Sequence, residues 1–160
     1  MVIIGYQGIG KSTAAIKRAA VVDLDSSLFY IDNKRNPNWY KIYCNIAINL
    51  SSQGKMVFVS SHKEVRDYLY EINNNKEKIV LCYPSLSLKE EWIARLEKRY
   101  NSTGFDKDYR ALMNTKLSFD KNITDLDNDN RFIKAKIYKT NYNLTGYIIH
   151  SIQYYEKNIQ

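Results

Sequence analysis

Eight residues near the start of the chain, Gly5-Tyr6-Gln7-Gly8-Ile9-Gly10-Lys11-Ser12, match G-x-x-x-x-G-K-[ST] in full. The chemistry of that spacing is phosphate binding. Its glycines let successive backbone N–H groups curl around phosphate oxygens, and a helix opening behind them adds its positive end. Gly5, Gln7, Gly8, Ile9 and Gly10 therefore form the cradle. Lys11 is placed to bridge the β- and γ-phosphates of a nucleoside triphosphate, Ser12 to bind Mg²⁺ through its hydroxyl, and Thr13 to support the α-phosphate side. ATP and Mg²⁺ are the cofactors this motif predicts.

Further along, Val21-Val22-Asp23-Leu24-Asp25 ends an apolar run in two acids. Carboxylates at the C-terminal end of such a strand lie beside a phosphate loop in open α/β sheets. Either could take a proton from an acceptor hydroxyl or hold a metal-bound water, and Asp23 is the preferred acid. Asp25 has a second possible use, capping a turn at Ser26-Ser27. The third apolar run ends Phe58-Val59-Ser60-Ser61-His62, without the acid of a hydrolytic ATPase. Ser60 can bond an acceptor or cap a helix, His62 can be a base or a solvated helix start, and Arg66 can face an anion or solvent. Arg95 and Arg99 lie one helical turn apart and share a face. Guanidinium groups there suit a lid that closes on phosphates and offsets charge during transfer. The alternative is a solvated face with Glu91 and Arg95 as a pair.

Positioning these groups takes a regular alternation of elements. Met1–Ile4, Ala19–Leu24, Met56–Val59 and Ile79–Cys82 are short apolar runs bounded by Gly, Asp, Ser or Pro, read as buried strands. Phe132–Lys139 alternates with period two and reads as a fifth. Between them the spacing predicts helices at Lys11–Arg18, Trp39–Leu50, Val65–Ile72, Trp92–Tyr100 and Leu144–Tyr155, with a weaker one at Lys107–Phe119. Asn38 and a Ser87–Glu90 capping box are the expected starts of the second and fourth. Asn101–Gly104 breaks a helix, and the polar, acidic stretch Asp120–Asn130 reads as a loop or a frayed helix end. Strands alternating with helices imply a three-layer α/β domain around a five-stranded parallel sheet. One domain over residues 1–160 is expected, with a small lid at about 95–131.

Composition narrows the surroundings. The formal net charge is +7, from 24 Lys and Arg against 17 Asp and Glu, which suits anionic partners. No apolar run reaches the roughly 18–20 residues of a membrane span, and the first residues lack the pattern of a secretory signal. Cys44 and Cys82 sit in apolar stretches and suit a reducing, cytoplasmic compartment better than a disulfide framework.

Four segments together, GYQGIGKST, VVDLDS, VFVSSHKEVRDYL and IVLCYPSLSLKEEWIARLEKR, resemble the small P-loop kinases: the nucleoside monophosphate, shikimate and gluconate kinases. The third segment is most similar to gluconate kinases, and the fourth looks like the strand and arginine-bearing lid helix of the whole group. The resemblance implies ATP on the phosphate loop, an acceptor under the second and third helices, and a mobile lid. By position it implies roles for Lys11 and Ser12, for Asp23 or Asp25, and for Arg66, Arg95 and Arg99. Two departures stand out. The Asp-Arg-Tyr-like motif of thymidylate kinases is missing after the third strand, and the usual acceptor arginine before Trp39 is missing unless Arg35 serves. Trp39, Tyr40 and Tyr43 could stack on an acceptor base or lie in the core, and Lys139–Tyr142 falls where this fold holds the adenine.

The function expected from these readings is transfer of the ATP γ-phosphate to a small anionic acceptor, a nucleotide or nucleoside in the first instance. The alternatives are a nucleotide-binding regulatory protein with little turnover, and phosphorylation of polynucleotide 5′-hydroxyl ends.

Overall fold

The computed structural model describes residues 1–32 and 34–158. In chain order its elements are β1 (Val2–Gly5), α1 (Lys11–Lys17), β2 (Val21–Asp23), β3 (Tyr30–Ile31), β4 (Lys34–Arg35), α2 (Trp39–Ser52), β5 (Met56–Ser60), α3 (Lys63–Asn73), β6 (Ile79–Pro84), α4 (Lys89–Thr103), α5 (Asp106–Asp127), β7 (Ile133–Ile137) and α6 (Leu144–Asn158). Five strands form one parallel sheet in the order β2-β5-β1-β6-β7. Every residue of β1 and β6 is buried, so the sheet is covered on both faces, as continuous apolar runs require. α1 packs beside β2 and α6, while α2 packs on α3, β5 and β1. The three-layer α/β architecture expected from the alternation is the one observed.

Register decides where chemistry can occur. Gly5 pairs in line with Ser60 on one side and Cys82 on the other. The central strand therefore delivers the glycine-rich loop to the carboxyl edge of the sheet, between the ends of β5 and β6. Order reverses around β1, and such a switch point opens a crevice at that edge.

Several local expectations need correction. Asn38 makes no side-chain cap on α2; Asn36 instead accepts from the Asn38 N–H at 2.8 Å and turns the chain before the helix. The Ser87–Glu90 box does not form. Ser85 accepts from the Ser87 N–H and starts a short 3-10 turn that feeds α4. Ser60 does not cap α3, whose preceding residue is His62. The stretch Asp120–Asn130 is not a loop over most of its length, because α5 continues to Asp127. Leu112, Thr115, Phe119, Ile123 and Leu126 are all buried at helical spacing, so one apolar stripe runs unbroken beneath the acids. The pair β3–β4 was not foreseen; two-residue strands carry no periodicity to detect.

Candidate active site

The phosphate loop is built by two kinds of constraint. Gly8 and Gly10 take φ of 83° and 101°, a backbone region open to glycine and strained for other residues. Gly5 is required by crowding, since a Cβ there would stand 2.5 Å from Ile9 Cδ1. Among the described residues, no backbone acceptor takes the N–H groups of Gly8 through Thr13. Lys11 folds back so that Nζ donates to Gly5 O at 3.0 Å and Tyr6 O at 3.4 Å. Burial lowers its pKa below the usual lysine value; Asp23 opposes that shift and Arg99 adds to it. A phosphate would reverse it by supplying the missing negative charge.

Ser12 Oγ donates to Asp23 Oδ2 at 2.6 Å. This pair tests whether Mg²⁺ fits. A hydroxyl and a carboxylate are hard oxygen donors, and Mg²⁺ is commonly held by one or two such groups plus phosphates and water. Among the described residues, no group of three His, Cys, Asp or Glu gathers to hold a metal alone. The donor set therefore suits an ion shared with a nucleotide. Asp25 is differently engaged: Oδ1 accepts from the Ser27 N–H at 2.8 Å, and Oδ2 meets Lys107 at 3.1 Å. Burial pushes its carboxyl up, but the bonds from Ser27 and Lys107 outweigh that and hold it below the usual value. The structure thus gives Asp25 the capping use and leaves one of its oxygens on a displaceable partner.

In front of the loop lies a cleft of about 790 Å³ whose lining includes Asp25, Tyr30, Arg35, His62, Arg99 and Arg110. His62 Nδ1 lies 2.9 Å from Ser60 Oγ, and its ring packs edge-on against Trp39. The Arg35 guanidinium is sandwiched between Tyr30 and Trp39 at 4.1 and 4.0 Å, and Arg110 approaches the same Tyr30 ring at 5.7 Å. Trp39 and Tyr43 are core residues rather than base-stacking ones. Tyr43 Oη donates to Leu24 O at 2.7 Å and accepts from the Ser60 N–H at 2.9 Å. Tyr40 is half-buried against Tyr68.

The arginines separate into three uses. Arg66 is 3% exposed and bonds Asp129 at 2.5 Å, Asp125 and the Ser61 carbonyl, so it is an anchor between α3 and the end of α5. Its side chain is not free to face an acceptor. Arg99 pairs with the buried Asp108 at 2.6 Å while touching both the main cleft and a smaller cavity of about 400 Å³ lined by Gly8, Gly10, Lys11, Ser12 and Thr13 of the loop itself. Arg95 reaches the loop itself, donating to Gly8 O at 3.1 Å and Thr140 O at 2.8 Å. Arg95 commits its guanidinium to Gly8 O, Tyr142 Oη and Thr140 O, so the solvated pair with Glu91 is not the one formed. Sequence reasoning missed Asp108, Trp92 and the Tyr30 hairpin. Trp92 read as core spacing, which it is; only its indole N–H carries a second role.

No protein-family model matches the chain. No curated protein matches it either. Among solved structures it is similar to the shikimate kinase of Bacteroides thetaiotaomicron, at 16% identity and a TM-score of 0.44, over 99% of this chain and 96% of that one. That likeness says nothing of this chain's substrate. No helix among the described residues is long and apolar enough to cross a membrane.

Proposed function

We propose that the protein is an ATP-dependent phosphotransferase that moves the γ-phosphoryl group to a small anionic acceptor of nucleotide or nucleoside type. One observation carries this reading. A complete phosphate loop with unpartnered inward N–H groups sits beside the Ser12–Asp23 pair and opens into a cleft lined by Lys11, Arg35, Lys63, Arg99, Lys107 and Arg110. The nucleotide-type acceptor is supported by Tyr30, a 41% exposed ring lining that cleft, with Arg35 stacked on it and Arg110 5.7 Å from its centre. The cytoplasm supplies such substrates and keeps Cys44 and Cys82 as free thiols.

In this reading the loop N–H groups and Lys11 hold the triphosphate in line with the cleft. Mg²⁺ held at Ser12 and Asp23 would draw charge from the β- and γ-phosphate oxygens. The acceptor displaces Lys107 from Asp25, and Asp25 Oδ2 takes the proton of the attacking hydroxyl. The bond from acceptor oxygen to γ-phosphorus forms as the bond to the β–γ bridging oxygen breaks, and ADP leaves. Arg99 turns from Asp108 toward the transferring group as the part of the expected 95–131 lid around Gly104–Arg110 closes over the cleft, the rest of that stretch being packed in the core and held by Arg66.

The test is a screen with γ-labelled ATP, Mg²⁺ and four acceptor classes: nucleosides, nucleoside monophosphates, sugar acids and 5′-hydroxyl oligonucleotides. Label on a nucleoside or a monophosphate is the expected result. ATP binding with no acceptor-dependent ADP release would make the protein a nucleotide-binding regulator instead. Label on oligonucleotides that fades steeply with salt would make it a polynucleotide kinase.

A further inference from the structure

The three middle carbonyls of the phosphate loop each meet a donor from outside the loop, two from α4 and one from the segment between β7 and α6. Trp92 Nε1 on α4 donates to Gln7 O at 2.8 Å. Arg95 Nη1, one turn along the same helix, donates to Gly8 O at 3.1 Å. Tyr142 Oη, in the segment between β7 and α6, donates to Ile9 O at 2.8 Å. The donors are themselves joined. Arg95 Nη1 also reaches Tyr142 Oη at 3.1 Å, Nη2 donates to Thr140 O at 2.8 Å, and the guanidinium lies 4.6 Å from the Trp92 ring centre. Trp92 is fully buried, so the base of this network cannot drift.

In a trans peptide unit the C=O and the following N–H point in opposite directions. Holding the carbonyls of Gln7, Gly8 and Ile9 against these donors therefore turns the N–H groups of Gly8, Ile9 and Gly10 the other way, into the cradle. It also keeps three partial negative charges away from an incoming anion. Without the donors, a loop with glycine at both left-handed positions would sample many other shapes.

We propose that Trp92, Arg95 and Tyr142 are positioning residues that hold the phosphate loop in its anion-accepting shape before any nucleotide arrives. The proposal rests on the reading of this loop as a triphosphate site. It gives Arg95 an effect through the loop rather than on the transferring group, and leaves Arg99 as the arginine that meets the phosphoryl. Burial pushes the Tyr142 hydroxyl up to about 12, so it stays a donor at every working pH. Because ordering is done in advance, affinity should depend on the clamp while chemistry on bound ATP should not.

The experiment uses the full chain with Tyr142→Phe, which removes one hydroxyl from a partly exposed ring, and Arg95→Ala. Backbone ¹⁵N relaxation is measured at Gly8, Ile9 and Gly10 without nucleotide and with saturating ATP. Calorimetry gives the ATP affinity, and kinetics at saturating ATP give kcat. Order parameters should fall from roughly 0.85 to below about 0.6 in the nucleotide-free variants and recover with ATP. Affinity should fall ~2- to 12-fold in Tyr142→Phe, the range of one net hydrogen bond, with kcat unchanged. Rigid loop amides in both nucleotide-free variants would overturn the proposal, as would loss of kcat in Arg95→Ala at saturating ATP with unchanged affinity. Failure of wild type to bind ATP would break the triphosphate reading alone. The nucleotide-free relaxation data would still decide the clamp.

Discussion

The two walls of the cleft are held in opposite ways. On the nucleotide side, the loop carbonyls are fixed by a buried indole, a guanidinium and a phenol, and Gln7 Nε2 is tied to Ala111 O and Thr115 Oγ1 on α5. On the acceptor side, the mouth is held by Lys107 on Asp25, with side chains 48% and 39% exposed, and by a loose approach of Arg110 to Tyr30. α5 itself shows both regimes. Its far end is locked by Arg66 and Asp129, while its first turn is tied back to α4 by the buried Asp108 on Arg99 and meets the mouth only through the exposed Lys107 contact. On the proposed function, recognition of phosphate would be built into the resting fold, whereas the acceptor would meet a surface that can still adjust.

The sharpest way to test that division is Asp25→Asn. If Oδ2 takes the acceptor proton, turnover should fall by ~10²–10⁴, with ATP affinity unchanged by calorimetry. Wild-type turnover in both Asp23→Asn and Asp25→Asn on an identified acceptor would make both carboxylates structural. Next, Lys11→Ala removes the cation of the rigid wall. A hydrogen bond to a charged group contributes ~1.5–3 kcal/mol, so ATP binding should weaken at least ~tenfold. Wild-type affinity and turnover in that variant would end the phosphate-loop reading.

The locked end of α5 has a pH signature. Burial raises the Asp129 carboxyl, but Arg131 and Arg66 more than reverse this and bring it down to about 2, against an ordinary 3.8. Its contribution is therefore complete above about pH 4 and disappears as pH falls through about 2; a shift of that size corresponds to about 2 kcal/mol. Asp129→Asn should lower the Tm at neutral pH, and its Tm should then change less than wild type's between pH 4 and 2. Parallel curves would remove the anchor role. The smallest effect belongs to the mouth. Lys107→Ala breaks an exposed pair, which is typically worth about 0–1 kcal/mol, so Tm should hardly move. Protease cleavage near Gly104-Phe105 should nevertheless quicken, and slow again with ATP and acceptor together. Unchanged cleavage would mean that both walls are equally stiff.

The same contrast explains what could be read from the chain. The phosphate loop was legible because its chemistry lies in eight consecutive residues with a fixed geometry. The strands were legible because burial on both faces leaves continuous apolar runs. The acceptor side was not. Arg66 finds Asp125 and Asp129 from 59 and 63 residues away, and no local pattern marks that meeting. Trp39 and Tyr43 keep the helical spacing of core residues, so their aromatic type alone suggested a base platform. The second half of α5 was hidden because acids on its solvent face masked the stripe beneath them.

Tyr43 fixes the spacing of two strand ends, at Leu24 and Ser60, that line the cleft. Beyond Asp23 and Phe58 the ends of β2 and β5 are bridged by its hydroxyl, which takes one partner from each strand. A water molecule could fill such a gap, but it would exchange and carry no memory of distance. A phenol on the rigid rod of α2 is a covalent spacer, and its ring is fully buried. The separation between the acids at the end of β2 and the serine and histidine at the end of β5 is thereby set by the length of one tyrosine.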